Sequence, residues 1–494
     1  MRRWQDLAAP DDPGSWYAVS NMWPTKRGTY ETADTSSATS VTGSSADAVL
    51  YAFTARNIAG TVLEYVQQAS KIWQYSGGTL TDRTGGVSVT SAGMMAQYGN
   101  VTIFAQSASV VTTFATGGNF AALAGAPNAE IVVVQSNAVL LFNTSASADG
   151  WAASDVGDYT NWTTGEAASG RILEVPGPIM GAVSYGADVL VFKKSAIFRM
   201  TYVGGTVKWQ IQLVWKGLGL GGEATYTKAK YQLVATAHGV AFNCNQTLNL
   251  TTVANTVYLF DGSSTPVQLD PLTNLDDCHA VFLYDPIEDR LVLAPSLGSS
   301  ASGVINTATS TTIPSVYYYY SFASGAWGSG VGNDSENFEN GTNFTLLNLG
   351  NGVLQGDYYS RSEASSKPVF WRYKTVTTGA FFRNAPLAPA SGASCYLQTA
   401  MLGRPDAKTF WDRLTPLLRR RTDLGTDTAT LSIELYRERH DTSPVTTISA
   451  SEATDRKRFN FTANDNFARF KVTWAAIDAE VDDFLIRQKT ASQE

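Results

Sequence analysis

One short pattern recurs along the chain, a β-branched or aromatic run that ends in a polar, glycine-bearing turn. It reads KIWQYSGGTL from Lys71, VVTTFATGGNF from Val110, AIFRMTYVGGTV from Ala196, TVYLFDGSSTPV from Thr256 and VYYYYSFASGAW from Val316. The copies start 39, 86, 60 and 60 residues apart. The 86-residue interval leaves room for a unit whose sequence has drifted, and PVFWRYKT from Pro368 offers a further one. A unit of roughly 40–60 residues that supplies a few short strands cannot bury both faces of its own sheet. It needs neighbours of the same kind, as the blades of a β-propeller do.

The rest of the chain agrees with this frame. Residues 50–385 read as short strands rich in Val, Ile, Tyr, Phe and Thr, broken by Gly, Asn and Asp. With 44% hydrophobic and 11% aromatic residues, 42 Gly and only 16% charged residues, the chain is too apolar for disorder and too poor in Lys and Glu for a helical bundle. The expected fold is all-β, a propeller of six or seven blades over residues 49–388. A large β-sandwich or a β-helix is the second choice.

Charge and linker composition set the boundaries. Residues 401–494 carry 15 Lys+Arg and 15 Asp+Glu, so the net charge of −7 belongs to the rest of the chain. The small-residue stretch APLAPASGAS marks the transition. Alternation at Leu431-Ile433-Leu435 and at Phe467, Phe470, Val472 and Trp474 predicts a small β-sandwich or barrel over 389–494, one face buried and one solvated. Residues 1–48, Trp-rich to Trp23 and then rich in Thr, Ser and Ala, read as a loosely packed extended arm. A strand from it is expected to close the propeller ring.

Composition also excludes some functions. A net −7 argues against a free-standing nucleic-acid binder, which needs a basic footprint, but not against a protein that DNA slides past. Three cysteines, Cys244, Cys278 and Cys395, form no disulfide framework and point to folding in a reducing cytosol. The start MRRWQDLAAPDDPG has no apolar signal-peptide core, and no run approaches the roughly 18 apolar residues of a membrane span.

Motifs that suggest chemistry are weak. WAASDVGDYTNWT, from Trp151, nearly matches the S-x-D-x-G-x-x-W Asp box of sialidase-type propellers. Asp155 follows Ser154 directly, however, and Trp162 falls one residue late. A sialidase also needs an arginine cluster, a Tyr nucleophile assisted by a Glu, and an acid/base Asp; the arginines before residue 400 are scattered. Trp151, Asp155, Gly157, Asp158 and Trp162 are therefore expected to build a structural turn, with both indoles packed on flanking sheets. WKGLGLGG holds a G-x-G-x-x-G at Gly217, Gly219 and Gly222, but no helix signal follows, so a Gly-rich inter-blade loop is expected in place of a dinucleotide site.

No metal or cofactor is expected. Cys278-His279 lacks a second ligand pair for zinc, and Asp285 and Asp289 read as a hairpin turn, with a Ca²⁺ loop as second choice. One basic cluster stands out, Arg404, Lys408, Arg413 and the run Arg419-Arg420-Arg421. With Asp406, Asp412 and Asp423 interspersed, it is a candidate contact to another subunit or partner, or a solvated face.

The order of these features resembles a known family. An N-M-W-P segment leads to hairpins and to W-x-x-S-D-x-G-D-x-x-x-W, then to GPIMGAVSYGADVLVFKKSAIFRMTYVGG. IQLVWKGLGLGG, AKYQLVATAHGVAFNCN and VYLFDGSSTPVQLD follow. Over roughly residues 130–285 this is similar to the tail hub or nozzle proteins of short-tailed bacteriophages. The resemblance implies a structural virion protein made in the host cytoplasm and not an enzyme. It implies a homohexameric ring between the head-tail adaptor above and tail fibre, spike or needle proteins below, enclosing a channel for double-stranded DNA. An acidic or neutral lining would keep DNA from sticking. The alternative is a carbohydrate-binding or carbohydrate-cleaving propeller of sialidase type.

Overall fold

The computed structural model describes residues 16–20, 22–24, 30–32, 35–39, 49–58, 62–68, 70–76, 79–91, 93–106, 112–115, 118–221, 229–248, 252–269, 279–285, 289–296, 316–323 and 325–331. Beyond these it describes 355–356, 370–374, 380–385, 394–399, 402–403, 409–420, 430–436, 443–444, 446–450, 459–465, 467–475 and 479–490. The chain is all-β, a β-propeller followed by a two-sheet C-terminal domain.

Six sheets, each with four consecutive antiparallel strands, follow one another over 49–82, 93–122, 129–171, 181–216, 233–269 and 279–331; the first also takes Gln355–Gly356, paired parallel to its first strand. They are blades 1 to 6. Their first strands pack side by side in chain order, which places the first of the four consecutive strands of each blade on the inner side. A three-stranded sheet comes next, in which Phe370–Lys374 pairs with Ala380–Ala385 and the latter with Thr35–Thr39 of the N-terminal segment. All five copies of the sequence repeat occupy one place, the third strand of blades 1, 2, 4, 5 and 6 with the turn after it. Blade 3 fills the long interval, and its third strand, Ser147–Ala153, is followed by the Asp-box-like loop.

The core lies between blades. Trp151, Ile131, Leu140 and Phe142 of blade 3 pack with Val189, Val191, Phe198 and Met200 of blade 4. Phe192 and Ile197 of blade 4 meet Val240, Phe242 and Phe260 of blade 5. Ala241 and Val257 of blade 5 meet Phe282 and Leu291 of blade 6. Within a blade successive side chains point to opposite faces, so the strand Ala138–Thr144 is apolar on both faces from Ala138 to Phe142 to fill both contacts.

The C-terminal domain has two sheets. In one, Ser394–Thr399, Phe467–Ala475, Thr430–Tyr436 and Thr446–Ala450 lie in that order, with Trp16–Ser20 added at the edge. Ile433 stands opposite Val472 and Leu435 opposite Phe470, and all four are buried. In the other, Thr409–Arg420 lies between Ala479–Thr490 and Phe459–Asp465, and the hairpin Met22–Pro24/Tyr30–Thr32 extends the edge. N-terminal strands thus pair into both C-terminal sheets.

Candidate functional site

Antiparallel four-stranded blades give the propeller two unlike ends. Turns between first and second strands, and between third and fourth, fall at one end, the hairpin-tip end. Turns between second and third strands, and the connections to the next blade, fall at the other, the strand-start end.

At the hairpin-tip end, two-residue turns need left-handed backbone, which Ser136 (φ 50°) and Asn137 (φ 57°) supply in blade 3. Neighbouring tips are tied together. Ile58 N–H donates to Asn100 Oδ1 (3.1 Å), the Tyr98 hydroxyl to the Asn137 carbonyl (3.4 Å) and Gln135 Nε2 to the Gly186 carbonyl (3.2 Å). His238 Nε2 lies 2.9 Å from both oxygens of Asp289, and its ring stacks on Phe322 at 4.5 Å. Asp289 also accepts the Tyr284 hydroxyl at 2.7 Å. Asp289 thus serves as a clasp between blades 5 and 6; Asp285 lies on the adjoining strand opposite Arg290.

The loop 154–167 stands at this end and is organised around one carboxylate. Asp155 Oδ1 accepts the N–H groups of Val156 (2.9 Å) and Glu166 (2.7 Å), and Oδ2 accepts Asn161 Nδ2 (3.1 Å). Gly157, at φ 87°, turns the chain so that its N–H reaches the Asn137 carbonyl at 2.8 Å. Asp158 is exposed and accepts the Thr160 N–H and hydroxyl, bonds that hold its carboxyl below the usual range. The two tryptophans face different neighbours. Trp151 lies in the core between blades 3 and 4, whereas half-buried Trp162 packs with Tyr159 on the cluster of Ile103, Leu123 and Val139 between blades 2 and 3.

From blade 4, Lys208 Nζ reaches back to the Gly165 (2.7 Å) and Ala167 (2.8 Å) carbonyls. Desolvation and the neighbouring Glu166 carboxylate push the Tyr202 hydroxyl up. Among the described residues, Glu166 Oε2 is buried without a hydrogen-bond partner.

At the strand-start end, side chains reach across from blade 5. A single 3-10 turn, Ala229–Tyr231, leads into blade 5, and the buried Tyr231 hydroxyl donates to the Gly93 carbonyl at the start of blade 2. Two blades lie between them, so this bond spans the propeller axis. Lys230, also buried, donates to the Glu130 carbonyl of blade 3 at 3.1 Å and sits 5.5 Å from the Tyr231 ring centre. Desolvation lowers its amine to a pKa of about 8. Lys193, fully buried in blade 4, donates to the Ile172 (2.6 Å) and Val175 (2.7 Å) carbonyls of the connection from blade 3, and burial lowers its pKa. Sequence inspection missed both lysines, because each sits in an ordinary polar-looking stretch.

The Gly-rich loop belongs to this end. Gly217 has φ 106°, and a Cβ on Gly219 would lie 1.9 Å from the Lys193 carbonyl oxygen. Close backbone packing therefore explains these glycines; Gly222 lies outside the described residues. Gly219→Ala should cost about 1–3 kcal/mol, because the clash is with main chain that cannot rotate away. Equal urea midpoints for variant and wild type would remove this account.

Of the basic cluster, Arg413, Arg419 and Arg420 lie on the strand Thr409–Arg420, with Arg419 in register with Glu480. Arg404, Lys408, Arg421, Cys278 and His440 lie outside the described residues, and His279 opens a strand opposite Ser296. Among the described residues, no group of three or more His, Cys, Asp or Glu is placed to hold a metal ion. No helix among them is long and apolar enough to cross a membrane.

No protein-family model and no curated protein matches the sequence. Solved structures do. An exo-β-1,3-galactanase from Phanerochaete chrysosporium matches at 10% identity and TM-score 0.28, covering 89% of this chain and 100% of its own. The Neurospora crassa Pan2 WD40 domain matches at 9% and 0.41, covering 74% and 96%. A Penicillium chrysogenum α-L-arabinanase matches at 10% and 0.32, covering 71% and 98%. These matches correct the expectation that the chain is not an enzyme, since glycoside hydrolases stand among them. The physical reason is that a ring of blades serves hydrolases and WD40 domains alike, so the propeller reveals nothing about chemistry. At such identities and TM-scores the likeness brings no residue role and no substrate.

Proposed function

We propose that this chain is a tail hub or nozzle subunit of a short-tailed bacteriophage. In this reading it is a homohexameric ring in the virion that joins a head-tail adaptor to distal fibre, spike or needle proteins and surrounds the path of double-stranded DNA. The observation that carries the reading is the bracing across the propeller. Tyr231 and Lys230, both buried, reach from the start of blade 5 to blades 2 and 3 and tie the blades into one block. A DNA path in such an assembly runs between subunits around the ring axis. The described turns at the hairpin-tip end carry Asp155, Asp158, Glu166, Asp261 and Asp289, with Lys208 beside them bonded to the loop 154–167, and this acidic excess suits a surface that DNA passes without adhering. Electron microscopy of the purified full-length chain should show six-subunit rings with a central opening. A chain that stays monomeric at high concentration would sink the reading.

A second reading, a carbohydrate-binding or carbohydrate-cleaving propeller, is favoured by the buried Glu166 carboxylate beside Tyr202 at the hairpin-tip end. Its test is reducing-sugar release from, or binding to, host surface polysaccharide. Either signal should be lost in Glu166→Gln if this pair is the site.

A further inference from the structure

At the seam between loop 154–167 and the last hairpin of blade 4, two buried polar atoms have no hydrogen-bond partner among the described residues. They are Glu166 Oε2 and the Nε1 of Trp209, a residue only 3% exposed. Tyr202 relates the two. It pairs with Trp209 across the hairpin, with ring centres 5.2 Å apart, and its hydroxyl lies in the field of the Glu166 carboxylate and, more weakly, of Asp155. The neighbouring charges are already engaged. Asp155 accepts the Val156 and Glu166 N–H groups and the Asn161 amide, and Lys208 Nζ holds the Gly165 and Ala167 carbonyls. The Glu166 main chain is thus pinned while its Oε2 keeps its acceptor capacity. The same hairpin exposes Val203 and Val207 to solvent. A buried acceptor and a buried donor left unbonded cost free energy, which a ligand that meets both recovers.

We propose that this seam binds the hydroxyl groups of a neutral sugar, one donating to Glu166 Oε2 and one accepting from Trp209 Nε1. The inference rests on the carbohydrate reading above and narrows it to binding without cleavage. The chemistry of the groups selects the ligand. A hydroxyl both donates and accepts, so a polyol satisfies an acid and an indole N–H together. An anion would meet the carboxylates of Glu166 and Asp155. A metal ion would meet the Lys208 ammonium, and among the described residues no group of three or more His, Cys, Asp or Glu is placed to hold one. The apolar surface of Val203 and Val207 suits the C–H face of a sugar ring. Cleavage of a glycosidic bond uses a second carboxyl group, and Asp155, the neighbouring one, is spent on holding the loop.

The experiment titrates the full-length chain with neutral gluco-, galacto-, manno- and N-acetylglucosamine oligosaccharides, read by saturation-transfer NMR and calorimetry, with circular dichroism to show that each variant folds. Wild type should bind at least one of them. Glu166→Ala, which removes the acceptor, and Trp209→Phe, which removes the indole N–H, should each weaken that binding at least tenfold. Should Trp209→Phe fail to fold, Glu166→Ala decides, since it alters a half-buried loop side chain. If both folded variants bind as wild type does, the seam is not the site and the carbohydrate reading stands on another surface. If no oligosaccharide binds, both fall. Release of reducing ends by wild type would overturn the restriction to binding and leave the carbohydrate reading in place.

Discussion

Trp151→Ala is expected to lower unfolding free energy by about 3–5 kcal/mol, the range for truncating a large aromatic in a packed core. The indole is 7% exposed and lies in the cluster that joins blades 3 and 4. Across the sheet it stands opposite Phe142 on one side and Gly170 on the other. The ring lies over that glycine so closely that a Cβ there would come within 3.1 Å of Nε1. Gly170 has no side chain to fill the space on that side, so a cavity term adds to the lost transfer energy. Because the cluster spans two blades, the loss should appear as a lower urea midpoint for the propeller as a whole. Trp162→Ala, half-buried on the other flank of the blade, should cost less. The order fails if Trp162→Ala proves the more damaging, or if Trp151→Ala stays within about 1 kcal/mol of wild type.

That contrast shows what the sequence could reveal. Repeat spacing exposes the blades because every blade solves the same local problem, a third strand followed by a turn, and five of six keep the apolar-run-then-glycine signature. Blade 3 escapes the pattern because loop 154–167 replaces the short turn. Turn chemistry at Asp155 and Gly157 is local and could be read from neighbours. Which neighbour each tryptophan meets could not, since Trp162 packs on residues from Ile103 to Leu141. The bond across the propeller from Tyr231 to Gly93 was illegible for the same reason. Tyr231 and Gly93 are separated by 138 residues, and neither stands in a motif. The pairing of N-terminal strands with both C-terminal sheets is equally non-local, and the Ser/Thr-rich arm shows little of the alternation that marks a strand with one buried face.

Lys230 gives the second large effect, and its sign is fixed by linkage. Its amine titrates near 8 in the folded protein against 10.5 for an ordinary lysine, because desolvation disfavours the charged form. Between those values the unfolded chain binds a proton that the folded chain does not, so stability rises with pH across that window. Below about pH 8 both states hold the proton, and the folded state carries the cost of a cation in the interior, partly offset by the Glu130 carboxylate and carbonyl and the Tyr231 ring. The shift corresponds to about 3 kcal/mol. Lys230→Met removes the titration while keeping most of the volume, and replacing a buried charge by an apolar group of similar size is often neutral or stabilising. At pH 7 the variant should therefore match or exceed wild type. Wild type should then gain about 3 kcal/mol on the variant as pH climbs from about 8 to about 10.5. Tyrosines that titrate in this range are common to both proteins and cancel in the difference. Urea unfolding of the pair at pH 7, 8, 9 and 10 reads the effect directly. A difference that stays flat across the series would mean that Lys230 is solvated in the folded protein.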